Sequence, residues 1–153
     1  MIKIKKQKVE PILMETYLRV IYNSTGSKIF KNLYAKVNGK KTDITQNGHL
    51  SCAFYVSSIL FLFKLIREIH ATVDGTAKDL RKSGWKEIKK PKLGSVLVWK
   101  EQRNIDDNKP HKHIGFYIGK AKAISNNSKY GYPTEHNWKI RKIESIFWHP
   151  LIK

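Results

Sequence analysis

Apolar residues recur at helical spacing from Ile12 to Tyr22, directly after Pro11. This predicts a short amphipathic helix, ended by Asn23-Ser24-Thr25-Gly26. From Cys52 to His70 the chain is apolar nearly all round, most densely over Phe54 to Ile66. It predicts a helix buried on most faces, with Ser51 as its cap. A shorter helix fits Thr76 to Lys82, where Thr76 and Asp79 have capping-box spacing and Gly84 is the stop.

After Pro91 the pattern changes to strands. Ser95 to Lys100, Ile114 to Ile118 and Ala121 to Asn126 are β-rich runs, and Lys139 to Trp148 supplies a fourth. Glu101 to Lys112 reads as a polar loop, and Gly119-Lys120 begins a turn. Asn38-Gly39 and Asn47-Gly48 flank a polar segment, read as a loop covering one side of the domain. Residues 1–11, rich in Lys alternating with Ile and Val, are either an edge strand or a loose basic arm. Helices followed by an antiparallel sheet make the fold class α+β, in one domain over 1–153 with its core from about residue 50 to 150.

Composition adds partners and compartment. Of 153 residues 41% are hydrophobic and 27% charged, enough apolar material for one core and too much for a disordered chain. The net charge of +18 predicts attraction to anionic polymers, nucleic acid or membrane surface, unless it reflects a lysine-rich source. Basic runs such as Lys86 to Lys92 carry no nucleic-acid-binding motif and read as a solvated surface. Met1 to Lys8 is charged and no long apolar segment follows, so no signal peptide is legible and a cytoplasmic start is expected. Unusual export or delivery to a cell wall is the other route. The apolar run 54–66 is too short to span a bilayer.

Cys52 is the sole cysteine, which excludes an internal disulfide and a multi-cysteine zinc site. At the start of a buried helix it faces unpaired backbone N–H groups and the positive end of the helix dipole. Both favour the thiolate, the nucleophilic form. His113 follows a polar loop and immediately precedes a strand, where a base at a sheet edge can face that helix start.

Three short motifs carry a resemblance. Cys52-Ala53-Phe54-Tyr55-Val56, Pro91-Lys92-Leu93-Gly94-Ser95-Val96-Leu97-Val98-Trp99 and His113-Ile114-Gly115-Phe116-Tyr117-Ile118-Gly119 stand in an order that resembles the CHAP and NlpC-type papain-like peptidases and amidases. The likeness covers about residues 50 to 127. It departs at Ser51, where the NlpC type has Asp, at Ala53-Phe54, where it has Ser-Gly, and at Ser95, where Asp is usual. The resemblance implies a nucleophile helix packed on an antiparallel sheet, Cys52 as nucleophile, His113 as base, no cofactor or metal, and peptidoglycan peptide as substrate.

It also implies a third residue, on the strand after the His113 hairpin, that orients the base. A two-residue turn at Gly119-Lys120 sets Asn126 opposite His113. A three-residue turn sets Asn127 opposite and Ser125 diagonal on the same face. Counting along the NlpC-type hairpin lands on Ser125, whereas an amide oxygen suits the papain-like role better. Asn126 is the first choice and Ser125 the alternative. An oxyanion hole would use the Cys52 N–H, with His49 or Gln46 as a second donor.

Other patterns are weaker. His111 and His113 have the spacing of a metal pair, but no carboxylate follows at a ligand spacing, and Asp106 and Asp107 read as solvated. His70, His136 and His149 form no motif. His136 lies near Tyr130, Tyr132 and Trp138, a group that either walls a substrate cleft or is ordinary surface and core. The reading that follows is a cysteine hydrolase acting on an amide bond. The alternatives are a non-catalytic basic module for anionic polymer or nucleic acid, and an intracellular papain-like deubiquitinase or acyltransferase. The oligomeric state is not legible.

Overall fold

The computed structural model describes residues 6–105 and 107–153. Within these the chain forms three helices and eight strands, an α+β arrangement in which helices come first. The expected strand or arm at 1–11 lies partly outside the described residues. Residues 6–11 are exposed and belong to no strand.

Helix α1 (Leu13–Asn23) follows the predicted periodicity and buries Tyr17, Leu18 and Ile21. The Tyr17 hydroxyl donates to Gly94 O at 2.9 Å, tying this helix to the sheet. The expected turn at Asn38-Gly39 joins a hairpin of β1 (Tyr34–Val37) and β2 (Lys40–Asp43), so the segment read as a loop is partly strand. Asn38 and Gly39 both take positive φ, 49° and 78°, as a tight two-residue hairpin turn requires.

Helix α2 (Cys52–Leu62) begins where expected but stops eight residues before His70. Lys64 turns left-handed at φ 55°, and the Leu65 and Lys64 N–H groups return to Leu60 O and Phe61 O. That pairing satisfies the last helical carbonyls as a Schellman-type end does. The apolar run continues past it because Leu65 and Ile66 are still buried in the core. Burial thus persisted after the helix had ended, and the pattern alone did not separate the two.

Helix α3 (Val73–Lys82) starts earlier than the predicted Thr76. Its cap is Thr72, whose hydroxyl accepts from Gly75 N–H at 3.1 Å. Asp79 is not a capping-box partner. Its carboxylate accepts from the backbone N–H of Glu68 and from Ser83 Oγ, and it meets His70 Nε2 at 2.7 Å, fastening the segment after α2 onto α3.

The main sheet has six antiparallel strands in the order β3-β8-β4-β5-β6-β7. They are β3 (Lys86–Glu87), β4 (Val96–Arg103), β5 (Pro110–Gly119), β6 (Lys122–Asn127), β7 (Tyr132–Asn137) and β8 (Ile143–Trp148). The expected strands at 95–100, 114–118 and 121–126 are present, and the fourth is shorter than 139–148. Strands β3 and β7 were not expected. Alternation divides the sheet into two apolar faces. Val96, Val98, Ile114, Phe116, Ile124 and Phe147 pack with the helices, while Leu97, Trp99, Ala123 and Ile146 form a second cluster on the opposite face. Helix α2 rests on β5 and β6. No described helix is long and apolar enough to cross a membrane.

Candidate active site

The start of α2, the start of β5 and the end of β6 meet at a cleft of about 560 Å³. Cys52, His113, Ser125 and Asn126 all line it, together with His136 and Arg141. Cys52 opens the helix, but Ser51 does not cap it. The buried Ser51 hydroxyl donates to Phe30 O instead. Among the described residues the cap side chain thus makes no hydrogen bond to the first-turn N–H groups. The thiol lies against the backbone N–H groups of Ala53 and Ile114, one peptide unit from His113. Among the described residues no hydrogen bond joins the sulfur to the His113 ring.

A continuous chain of hydrogen bonds runs behind His113. Its Nε2 is 2.7 Å from Ser125 Oγ, and Ser125 Oγ is 2.6 Å from His136 Nε2. His136 Nδ1 is 2.9 Å from Asn137 O, which can only accept. With neutral rings these contacts fix every proton. His136 Nδ1–H donates to Asn137 O, and Ser125 O–H donates to His136 Nε2. His113 Nε2–H then donates to the Ser125 oxygen. The lone pair of His113 Nδ1 is left over, as a general base requires.

Register explains why Ser125 meets His113. The turn of the β5–β6 hairpin is Lys120-Ala121, both at positive φ, 48° and 59°. One register shift between Tyr117 and Gly119 adds a residue, so Gly115 pairs with Ser125. His113 is therefore diagonal to Ser125, the outcome expected of the longer turn. On the next strand Ala123 pairs with His136, which puts His136 diagonal to Ser125 on the same face.

Trp99 floors the group, its ring tilted 32° to His113 with centroids 5.3 Å apart, and its Nε1–H donates to Trp138 O at 2.8 Å. Gly115 makes room for this: a Cβ there would stand 2.7 Å from Ser125 Cβ and 3.1 Å from Trp99 Cζ3.

Asn126, the first choice for the orienting residue, does not reach the base. It shares the face of Ile124, one residue out of phase with Ser125, and its Nδ2 donates to Gly48 O at 2.8 Å. Among the described residues Asn126 Oδ1 is buried without a hydrogen-bond partner. The side chain anchors the loop leading into α2. Gly48 in that loop touches Gly131 after β6 so closely that an added Cβ would lie 2.5 Å from Gly131 Cα. Strand phase decided between two adjacent polar residues, and the phase hung on a register shift that composition does not reveal.

Burial shifts both Cys52 and His113 toward neutrality. It raises the Cys52 thiol above its ordinary pKa, although the Ile114 and Ala53 N–H groups and Arg141 pull the other way. The helix start thus lowers the thiol as expected, but desolvation outweighs it. Burial, with the positive Arg141 nearby and repulsion from any proton shared with His136, pushes His113 down to about 3. His136 is also lowered by burial, against Asn137 O and Glu135. The resting pair is a neutral thiol and a neutral imidazole.

The remaining candidates divide. His49 lines the cleft, with Nε2 3.4 Å from Asn104 Nδ2 and 3.8 Å from Asp107 Oδ2. Gln46 is exposed in the turn before α2 and does not line the cleft. His111 points its Nε2 to Asp107 at 2.6 Å. Among the described residues no three His, Cys, Asp or Glu side chains converge as metal ligands would. Asp106 lies outside the described residues. From sequence His136 is legible only as a neighbour of the aromatic group Tyr130, Tyr132 and Trp138, and Arg141 not at all. Reading Tyr132–Asn137 as a strand would have set His136 on the Ser125 face; Arg141 lies in a bend and carried no signal. Comparison with known protein families and with curated proteins finds no match to this chain.

Proposed function

We propose that this protein is a cysteine hydrolase of papain-like layout that cleaves an amide bond, with peptidoglycan stem or cross-bridge peptide as its substrate. The observation that carries this reading is the hydrogen-bond chain His113–Ser125–His136, which leaves His113 Nδ1 unprotonated in the cleft that Cys52 lines.

Cys52 sulfur attacks the amide carbonyl carbon as His113 Nδ1 takes the thiol proton. Proton transfer and attack belong together, because neither group is charged at rest. The oxyanion is met by uncapped backbone N–H groups at the start of α2. His113 returns its proton to the leaving nitrogen, the C–N bond breaks, and an acyl-thioester remains on Cys52. Water, losing a proton to His113, releases the carboxylate and restores the thiol. Ser125 and His136 hold the tautomer through both steps. The net charge of +18 favours approach to an anionic wall.

The test is digestion of purified wall peptides, with products resolved by chromatography and mass spectrometry. Cleavage by the wild type, absent in Cys52→Ala and His113→Ala, is the expected result. Intact wall peptides beside turnover of isopeptide or lipid esters would move the same chemistry to another substrate class. No Cys52-dependent turnover of any of them would leave a binding module.

A further inference from the structure

Arg141 lies in the bend between β7 and β8, half-buried, on the wall of the cleft that holds Cys52. Its Nη1 donates to His111 O at 3.1 Å. A guanidinium has five N–H donors, so one carbonyl leaves most of them unused. Among the described residues no carboxylate pairs with it. Of the other charged groups that line the cleft, Glu101 makes no ion pair with Arg141, and two of the rest are already paired. Lys112 is held by Asp74 at 2.8 Å and Glu144 at 3.2 Å, and His111 meets Asp107 at 2.6 Å. Arg141 is close enough to Cys52 and to His113 for its charge to act on both.

A partly desolvated guanidinium without a counter-ion is costly unless something anionic arrives. The resting thiol is not that anion, because it is neutral. The planar fork of arginine matches a carboxylate in bidentate geometry. An extended chain advances about 3.5 Å per residue, so a carboxylate held by Arg141 in the cleft that Cys52 also lines belongs to a residue close to the attacked bond.

We propose that Arg141 binds a substrate carboxylate adjacent to the scissile amide, so that the cleft selects peptides bearing a negative charge next to the cleaved bond. The inference rests on Cys52 being the nucleophile. A chain-terminal carboxylate and an acidic side chain offer the same chemistry, and the probes below separate them.

Binding is measured by NMR titration of Cys52→Ala protein, which cannot turn substrate over. The probes are acetyl-Ala-Ala-Ala with a free C-terminus, its C-terminal amide, and acetyl-Ala-Glu-Ala-amide. At least one carboxylate probe should bind about tenfold more tightly than the neutral amide. That advantage should vanish with Arg141→Gln and survive in part with Arg141→Lys, which keeps the charge but loses the fork. Preference for the first probe identifies a chain end, and preference for the third an acidic side chain. Equal binding of all three, no binding of any, or an advantage that survives Arg141→Gln overturns the proposal. Failure of the hydrolase reading would appear separately, as wild-type protein that binds these peptides but never forms an acyl-thioester.

Discussion

His113 Nε2 and Ser125 Oγ stand 2.7 Å apart, and the hydrogen-bond chain this contact opens, ending on Asn137 O, makes Nε2 the donor and leaves Nδ1 unprotonated. A serine can serve here because it both accepts and donates: His136, 2.6 Å beyond, takes its proton and fixes its direction. A hydroxyl without that second histidine would be free to turn its hydrogen toward His113.

Ser125→Ala should therefore lower kcat by about 10²-fold with a smaller change in KM, since it removes the group that orients the base. His136→Ala should act in the same direction through Ser125. Steady-state kinetics on any cleaved peptide checks both. A Ser125→Ala enzyme with wild-type kcat would show that His113 needs no such partner.

Asn126→Ala should behave differently. It deletes the bond to Gly48 O beneath the loop that leads into α2, at a cost of about 1 kcal/mol. Its unpartnered Oδ1 disappears at the same time, which offsets part of that loss. Thermal melting should record a modest change, and the pH profile of kcat should keep the wild-type shape. A profile shifted in Asn126→Ala but not in Ser125→Ala would reverse the roles assigned to the two residues.

Thiol reactivity follows from the direction of the Cys52 shift. Because burial raises the thiol, and alkylation builds no oxyanion for the start of α2 to stabilise, iodoacetamide at pH 6 should label Cys52 no faster than free cysteine, whose pKa is about 8.5. Mass spectrometry of the labelled protein gives the rate. Rapid labelling at pH 6 would mean a resting thiolate and an ion-paired site.

Acid stability carries the sign of the His113 shift. An unfolded histidine takes up a proton near pH 6.5, whereas the folded one resists until about pH 3. Between those values the unfolded chain binds more protons, so stability falls as pH falls, by at most about 1.4 kcal/mol per pH unit. His136 contributes in the same direction. Carboxylates held low in the fold, such as Asp79, add their losses only near and below pH 4. Urea melts from pH 7 to pH 4.5 should show the decline, and His113→Asn should flatten it. An equal slope in the variant would place the titrating groups elsewhere.

Gly115→Ala should destabilise by about 1–3 kcal/mol, because its Cβ would meet Ile124 O and Ser125 Cβ at 2.7 Å. Relief of that clash would push Ser125 from His113, so kcat should fall with the melting temperature. An alanine variant with unchanged melting would mean that the two strands part at little cost.

Much of this layout is written in short-range pattern. The amphipathic α1, the strand after Pro91 and the Cys52 helix start depend on residues close in sequence, and each is legible there. The end of α2 was hidden because Leu65 and Ile66 remain buried after the helix stops. Strand β7 was hidden because its burial alternates only weakly, Pro133 being its one fully buried residue. The choice of Ser125 over Asn126 depended on a single residue of register in the β5–β6 hairpin. Arg141 is brought to the cleft by a bend, and spatial proximity of that kind leaves no periodic trace.

The most direct test of the central claim is acylation of Cys52 by p-nitrophenyl acetate at pH 7, followed by intact-mass spectrometry. A base-assisted nucleophile predicts one acetyl group on Cys52, formed much faster than on free cysteine and slowed about 10²-fold or more in His113→Ala. Acylation at the rate of free cysteine, or at a rate that His113→Ala leaves unchanged, would contradict it.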